Sequence, residues 1–115
     1  MDGLREYIER VWQQQYDVAW RSFVHERFRD HPRAVGERRR RLVLDLSLSD
    51  TAVPALQIAV LTPRLARAYA RKTDKTLTRD LKAVLDMGLV VKEPGGYRAR
   101  KEVILGFLPV RAPGS

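Results

Sequence analysis

The sequence predicts a mainly α (α+β) chain: a long N-terminal amphipathic helix, a core of three shorter helices and a two-stranded β hairpin. Three observations lead there. Apolar residues recur every three or four positions from Leu4 to Val24. Two further helical stretches follow one another across 62–87, each opened by a residue able to cap it. Gly88 then closes the second of them, and a β-branched run leads into the turn chemistry of Glu93-Pro94-Gly95-Gly96.

Leu4, Tyr7, Ile8, Val11, Trp12, Ala19, Trp20, Phe23 and Val24 form the stripe of a first helix expected to reach about Arg29. An aromatic stripe needs a partner, and aromatics are enriched in both cores and interfaces. The partner is either the rest of the chain or a second copy, a homodimer meeting at Tyr7, Val11, Trp12, Trp20 and Phe23. His31-Pro32 ends this helix, because the residue before proline is pushed out of the α region, and Gly36 is expected to add a second break. Arg38, Arg39, Arg40 and Arg41 form a run that suits either a solvated helix face or a phosphate clamp. Leucines at 42, 44, 46 and 48 alternate with Val43, Asp45 and Ser47, which favours a short strand or extended connector over a helix end.

The next helix is expected over 51–60, with Asp50 as its cap, Pro54 in its first turn, and Val53, Leu56, Ala59 and Val60 facing inward. Thr62 caps a following helix over 63–71, whose first residue, Pro63, has no N–H to leave unpaired. Leu65, Ala66, Tyr69 and Ala70 are its packing positions; Arg64, Arg67, Arg71 and Lys72 lie outside that stripe. Thr73 or Asp74 caps a helix over 74–87, in which Leu77, Leu81, Val84 and Leu85 form one inward stripe. That stripe turns Lys75, Thr76, Thr78, Arg79 and Lys82 outward. Leu89 to Val91 and Tyr97 to Lys101 form the two arms of the hairpin, with Lys92, Arg98, Arg100 and Lys101 on or beside it. Val103, Ile104, Leu105, Phe107 and Leu108 are too apolar for a free tail and are expected to pack back on the body. The organisation expected is a helical extension over 1–50, a helix-turn-helix with its hairpin over 51–109, and a flexible tail over 110–115.

Charge separates the halves of the chain. Of its 115 residues, 22 are Lys or Arg and 14 are Asp or Glu, a net of +8. Residues 1–60 hold 10 of these bases and 9 acids, whereas residues 61–115 hold 12 and 5, so nearly all the excess lies in the second half. A polyanionic partner requires such a footprint. No apolar run approaches the ~20 residues of a membrane span, the start is not basic-then-apolar, and no cysteine is present for a disulfide or a thiolate zinc site. The cytoplasm is the expected compartment, with no membrane partner.

The segment Thr76 to Val90, TLTRDLKAVLDMGLV, leading directly into the hairpin, resembles the winged helix-turn-helix domains of bacterial transcription regulators. The segment is also similar to the winged helix that follows the catalytic domain in many Fic-family proteins, where a short tail like EVILGFLP (102–109) follows the wing. The first resemblance implies double-stranded DNA as partner, with Lys75, Thr76, Thr78, Arg79 and Lys82 on the recognition helix. Arg64, Arg71, Lys72, Lys92, Arg98, Arg100 and Lys101 would then meet the backbone from the wing and flanks. The second resemblance implies a protein-interaction module without catalytic activity.

One stretch invites an enzymatic reading. Residues 31–39, HPRAVGERR, match the Fic catalytic signature at His31, Pro32, Gly36 and Arg39. Val35 cannot supply the acidic metal ligand of that signature, and Arg38 replaces a glycine of its phosphate-cradling loop. His25 and His31 without any cysteine form no nucleophile–base pair and no credible metal shell. Asp74, Asp80 and Asp86 are spread around a helix, which suits caps and ion pairs better than a converging acid site. Neither catalysis nor a metal or cofactor is expected, and nothing in the sequence identifies an effector.

Overall fold

The computed structural model describes residues 2–31 and 33–107, except the side chains at 2, 3, 106 and 107. Pro32, Leu108 and the expected tail over 110–115 lie outside the described residues, as does the side chain of Phe107. Five helices run α1 Asp2–Arg27, α2 Ala34–Leu46, α3 Ala55–Ile58, α4 Pro63–Tyr69 and α5 Asp74–Asp86. An antiparallel hairpin follows, β1 Val90–Glu93 and β2 Gly96–Ala99, and then a 3-10 helix, Lys101–Phe107. The fold is α+β, with a long N-terminal helix and a two-stranded β wing, as the sequence predicts.

One apolar core holds these elements together. Trp20, Val24 and Phe28 from the first helical segment meet Leu42, Val43 and Leu46 of α2, Leu65 and Tyr69 of α4, and Leu77, Leu81 and Val84 of α5. Leu89, Val90, Ala99 and Ile104 close it from the hairpin side. The core is continuous across residue 50, because α2 packs on α4, α5 and β2 as well as on α1. The first turns of α1 lie beyond it: residues 4–10 are all exposed, and packing begins around Tyr16.

Two stretches differ from expectation. Residues 42–46 are the second half of α2, not a strand: Leu42, Val43, Asp45 and Leu46 are buried at i, i+1, i+3 and i+4, a helical period. The alternating leucines mislead because one of the buried positions is Asp45, and a polar residue breaks the apolar pattern. Gly36 lies inside α2 instead of breaking it; a Cβ there would come within 2.0 Å of the His31 carbonyl oxygen. Only a glycine lets the start of α2 pass so close to the corner after α1.

The helix over 51–60 is also shorter than expected. α3 has four residues, begins after Pro54 instead of a cap at Asp50, and continues in tight turns with Val60 N–H bonded to Gln57 O and Leu61 N–H to Ile58 O. Without sustained α periodicity only Ile58 is fully buried. Leu56 and Val60, expected inward, are 76% and 69% exposed. Val53 instead pairs with Tyr97, the two residues exchanging backbone hydrogen bonds of 2.8 and 2.9 Å, so one residue adds a third rung beside β2.

Gly96 makes that rung possible. Its φ is +143°, and a Cβ on it would lie 2.1 Å from the Val53 carbonyl oxygen. Pro94 and Gly95 form the two-residue tip of the hairpin, in which Gly95 has φ +97° and Glu93 faces Gly96.

Candidate nucleic-acid interface

The candidate reading helix, α5, is defined at both ends by local chemistry. Thr73 stands at its N-cap, but its hydroxyl makes no capping bond, contrary to expectation; the Thr76 N–H is taken by the Thr73 carbonyl at 3.0 Å. Asp74 in the first turn places negative charge beside the free amides. At the other end Gly88 has φ +76°, its N–H bonds Leu85 O, and the Leu89 N–H bonds Val84 O, with Leu89 fully buried. Arg27 of α1 donates to the Met87 carbonyl at 2.8 Å, a cation where the helix dipole favours one.

Two buried carboxylates tie α2 to both α4 and α5. Asp45 of α2, 2% exposed, accepts from the Thr62 hydroxyl at 2.8 Å and from both Nε and Nη2 of Arg64. The same Thr62 hydroxyl accepts the Leu65 N–H at 3.1 Å, so one side chain caps α4, as expected, and anchors it to α2. Asp80 of α5, 0% exposed, accepts from Arg38 at 2.6 and 3.1 Å, Arg39 at 2.9 Å and the Tyr69 hydroxyl at 2.6 Å. Burial pushes the Asp80 carboxyl up, and the bonds from Arg38, Tyr69 and Arg39 outweigh it, holding it below the usual aspartate value. Burial and the adjacent carboxylate push the Tyr69 phenol well above its ordinary range, so it stays a donor.

Against that support, the outer face of α5 is basic and unpaired. Lys75, Thr78, Arg79 and Lys82 are exposed and Thr76 is half-buried. Lys75, Arg79 and Lys82 stand at i, i+4 and i+7, one stripe about 10 Å long. Thr78 spends its hydroxyl hydrogen on the Asp74 carbonyl at 3.0 Å. Arg71 and Lys72, in the turn before α5, are exposed as well. None of these five cations has a salt bridge among the described residues.

Other members of the expected set are engaged within the chain. Arg98 binds Glu93 at 3.0 Å and Glu102 through two further 3.0 Å bonds; Lys101 lies 3.6 Å from Asp50; Arg64 pairs with Asp45. Their charge is largely answered, which leaves Lys92 and Arg100 as the exposed cations without salt bridges by the hairpin. Lys92 lies 5.9 Å from the Tyr97 ring centroid, so the aromatic face steadies it. The proposed dimer stripe also divides. Trp20 is 1% exposed and Phe23 packs against the core, their rings 6.0 Å apart, whereas Tyr7 stays exposed and Val11 and Trp12 are half-buried.

The four arginines adjacent in sequence part in the structure. Arg38 and Arg39 turn to Asp80, while Arg40 and Arg41 line a cleft on the opposite side of α2. The partner of Arg38 stands 42 residues away, so no local signal reveals the division.

Among the described residues no group of three or more His, Asp or Glu side chains is placed to hold a metal ion, and no helix is long and apolar enough to cross a membrane. Compared with known proteins, the chain matches no protein-family model, no curated protein and no solved structure.

Proposed function

We propose that this chain is a double-stranded DNA-binding protein of the bacterial transcription-regulator type, acting in the cytoplasm without catalysis. The observation that carries the reading is the unpaired basic stripe of Lys75, Arg79 and Lys82 with Arg71 and Lys72, on a helix whose other face is buried. In this reading α5 enters the major groove, where Lys75, Thr76 and Arg79 lie nearest the bases and Arg79 can pair bidentately with guanine. Lys72, Lys82, Lys92 and Arg100 neutralise phosphates. Fluorescence anisotropy with a random duplex pool across a salt series tests it. Four to six phosphate contacts give a log–log salt slope of about −4 to −5; a slope near zero excludes the reading.

A second reading is favoured by the exposed start of α1, where Leu4, Tyr7 and Ile8 are 65%, 60% and 47% exposed. It treats this apolar end as a protein-docking face, with a second copy of the chain as occupant. Two copies joined there would also present two α5 helices, as paired half-sites require. Light scattering on the intact protein and on a Tyr7→Ser/Ile8→Ser variant separates the cases: a dimer that the variant dissociates supports pairing, and a monomer at all concentrations rejects it.

A further inference from the structure

We propose that the cleft between α1 and α2 is a binding site for a small organic polyanion, a di- or tricarboxylate or a phosphate ester. The cleft has a volume of about 610 Å³, within the range of small-molecule sites and larger than a single inorganic ion fills. None of its lining residues belongs to α5 or to the hairpin, so it is separate from the basic stripe described above.

Charge and hydrogen bonding both point to an anion. Five Lys or Arg side chains line the cleft against three carboxylates. Each of those carboxylates already has a partner: Asp45 holds Thr62 and Arg64, Asp50 lies beside Lys101, and Asp17 accepts from Gln13 at 3.1 Å. Arg21, Arg40 and Arg41 are left with no salt bridge among the described residues, on a concave surface. Guanidinium groups that share a concavity repel one another until a multiply charged acceptor joins them, and their planar forks suit carboxylate and phosphate oxygens.

Trp20 also lines the cleft, and its indole N–H is the one buried side-chain polar group among the described residues without a hydrogen-bond partner. A buried donor left unpaired is unfavourable and uncommon. An anion seated among Arg21, Arg40 and Arg41 lies against the Trp20 side chain, so its arrival is read at that indole. The site draws on α1, α2 and Arg64 at the start of α4, so an occupant bridges the first helix to the helix-turn-helix.

The test is an NMR titration of the full chain labelled with ¹⁵N-tryptophan, using citrate and inorganic pyrophosphate as probes at constant ionic strength. The protein has two indole N–H resonances, from Trp12 and Trp20, and a Trp12→Phe variant assigns them. The expected result is a saturable shift of the Trp20 resonance with at least one probe while Trp12 stays in place. Arg40→Gln/Arg41→Gln and Arg21→Gln, all changes at the cleft rim, each weaken binding by about tenfold or more, the loss of a charged hydrogen bond. No saturable shift with either probe, equal movement of both indoles, or unchanged affinity in the variants overturns the proposal. A DNA duplex that moves the Trp20 resonance and competes with citrate places a nucleic-acid backbone in the cleft, which also overturns the small-ligand assignment.

Discussion

The Tyr69 hydroxyl donates a 2.6 Å hydrogen bond to Asp80 Oδ2, joining α4 to α5 inside the core. The same carboxylate receives Arg38 and Arg39 from α2, so three helices meet at one buried acid. The orientation of α5, and with it the direction of its basic stripe, is set by a charged junction as well as by apolar packing.

Asp80→Asn removes the only carboxylate within reach of Arg38 and Arg39 among the described residues. Breaking one side of a buried pair leaves the other side uncompensated, at a cost of about 3–5 kcal/mol. Tyr69→Phe deletes one hydrogen bond and should cost about 1–2 kcal/mol. Urea denaturation of the two variants measures both, and a loss at Asp80 no larger than that at Tyr69 contradicts the junction as described.

The junction carries an acid signature. The Asp80 carboxyl lies below its ordinary value in the folded chain, so its stabilisation is fully present above the unfolded value and is lost as pH falls through the folded one. Glu102, lowered chiefly by its bonds from Arg98, adds a weaker effect of the same sign from a more exposed site. Stability should therefore decline as pH drops below about 4. Asp80→Asn should decline less steeply over that window, which denaturation midpoints at a series of pH values will show.

Much of α4 and α5 is legible in sequence because their signals are local. Thr62 bonds an amide three residues on, Gly88 ends its own helix, and the stripe of Leu77, Leu81 and Val84 repeats at the helical period. What the sequence hides is set at a distance. Asp45 is buried because Thr62 and Arg64 reach it from 17 and 19 residues away, and without them its position looks like a break in an apolar run. Val53 belongs to the hairpin through Tyr97, and Trp20 and Val24 belong to the core although Leu4, Tyr7 and Ile8 at the start of the same stripe do not. Among the candidate site residues, the cations on α5 carry no salt bridge among the described residues, whereas Arg98 is taken up by the nearby Glu93 and Glu102, and Arg64 and Lys101 by Asp45 and Asp50, which sequence spacing alone does not connect to them.

Gly96→Ala should damage the hairpin far more than Gly95→Ala. Both positions have positive φ, but only at Gly96 does the new methyl meet backbone, the Val53 carbonyl at 2.1 Å; at Gly95 nothing lies within 4 Å. The expected losses are about 2–3 kcal/mol against about 1 kcal/mol. Hydrogen exchange at the Val53 and Tyr97 amides should accelerate in the Gly96 variant. Equal stability losses with both amides still protected would rule out the close approach.

Arg79 and Lys82 should behave differently toward DNA under the proposed reading. Arg79→Ala should relax sequence preference, with a loss of about 1–3 kcal/mol confined to preferred sites. Lys82→Ala should weaken all duplexes alike and reduce the salt slope by about one. Binding-site selection followed by affinity measurements on preferred and scrambled duplexes separates the two roles; equal losses on every sequence for both variants contradict the assignment.

The most direct measurement is duplex binding by the wild-type chain beside a Lys75→Ala/Arg79→Ala variant, followed by fluorescence anisotropy at low and physiological salt. Both side chains are exposed and carry no salt bridge among the described residues, so the variant should keep the wild-type fold. The DNA reading predicts salt-sensitive binding that the variant loses by tenfold or more at matched salt, roughly the worth of one charged contact. Absence of binding at low salt, or a variant that binds as well as the wild type, would contradict it.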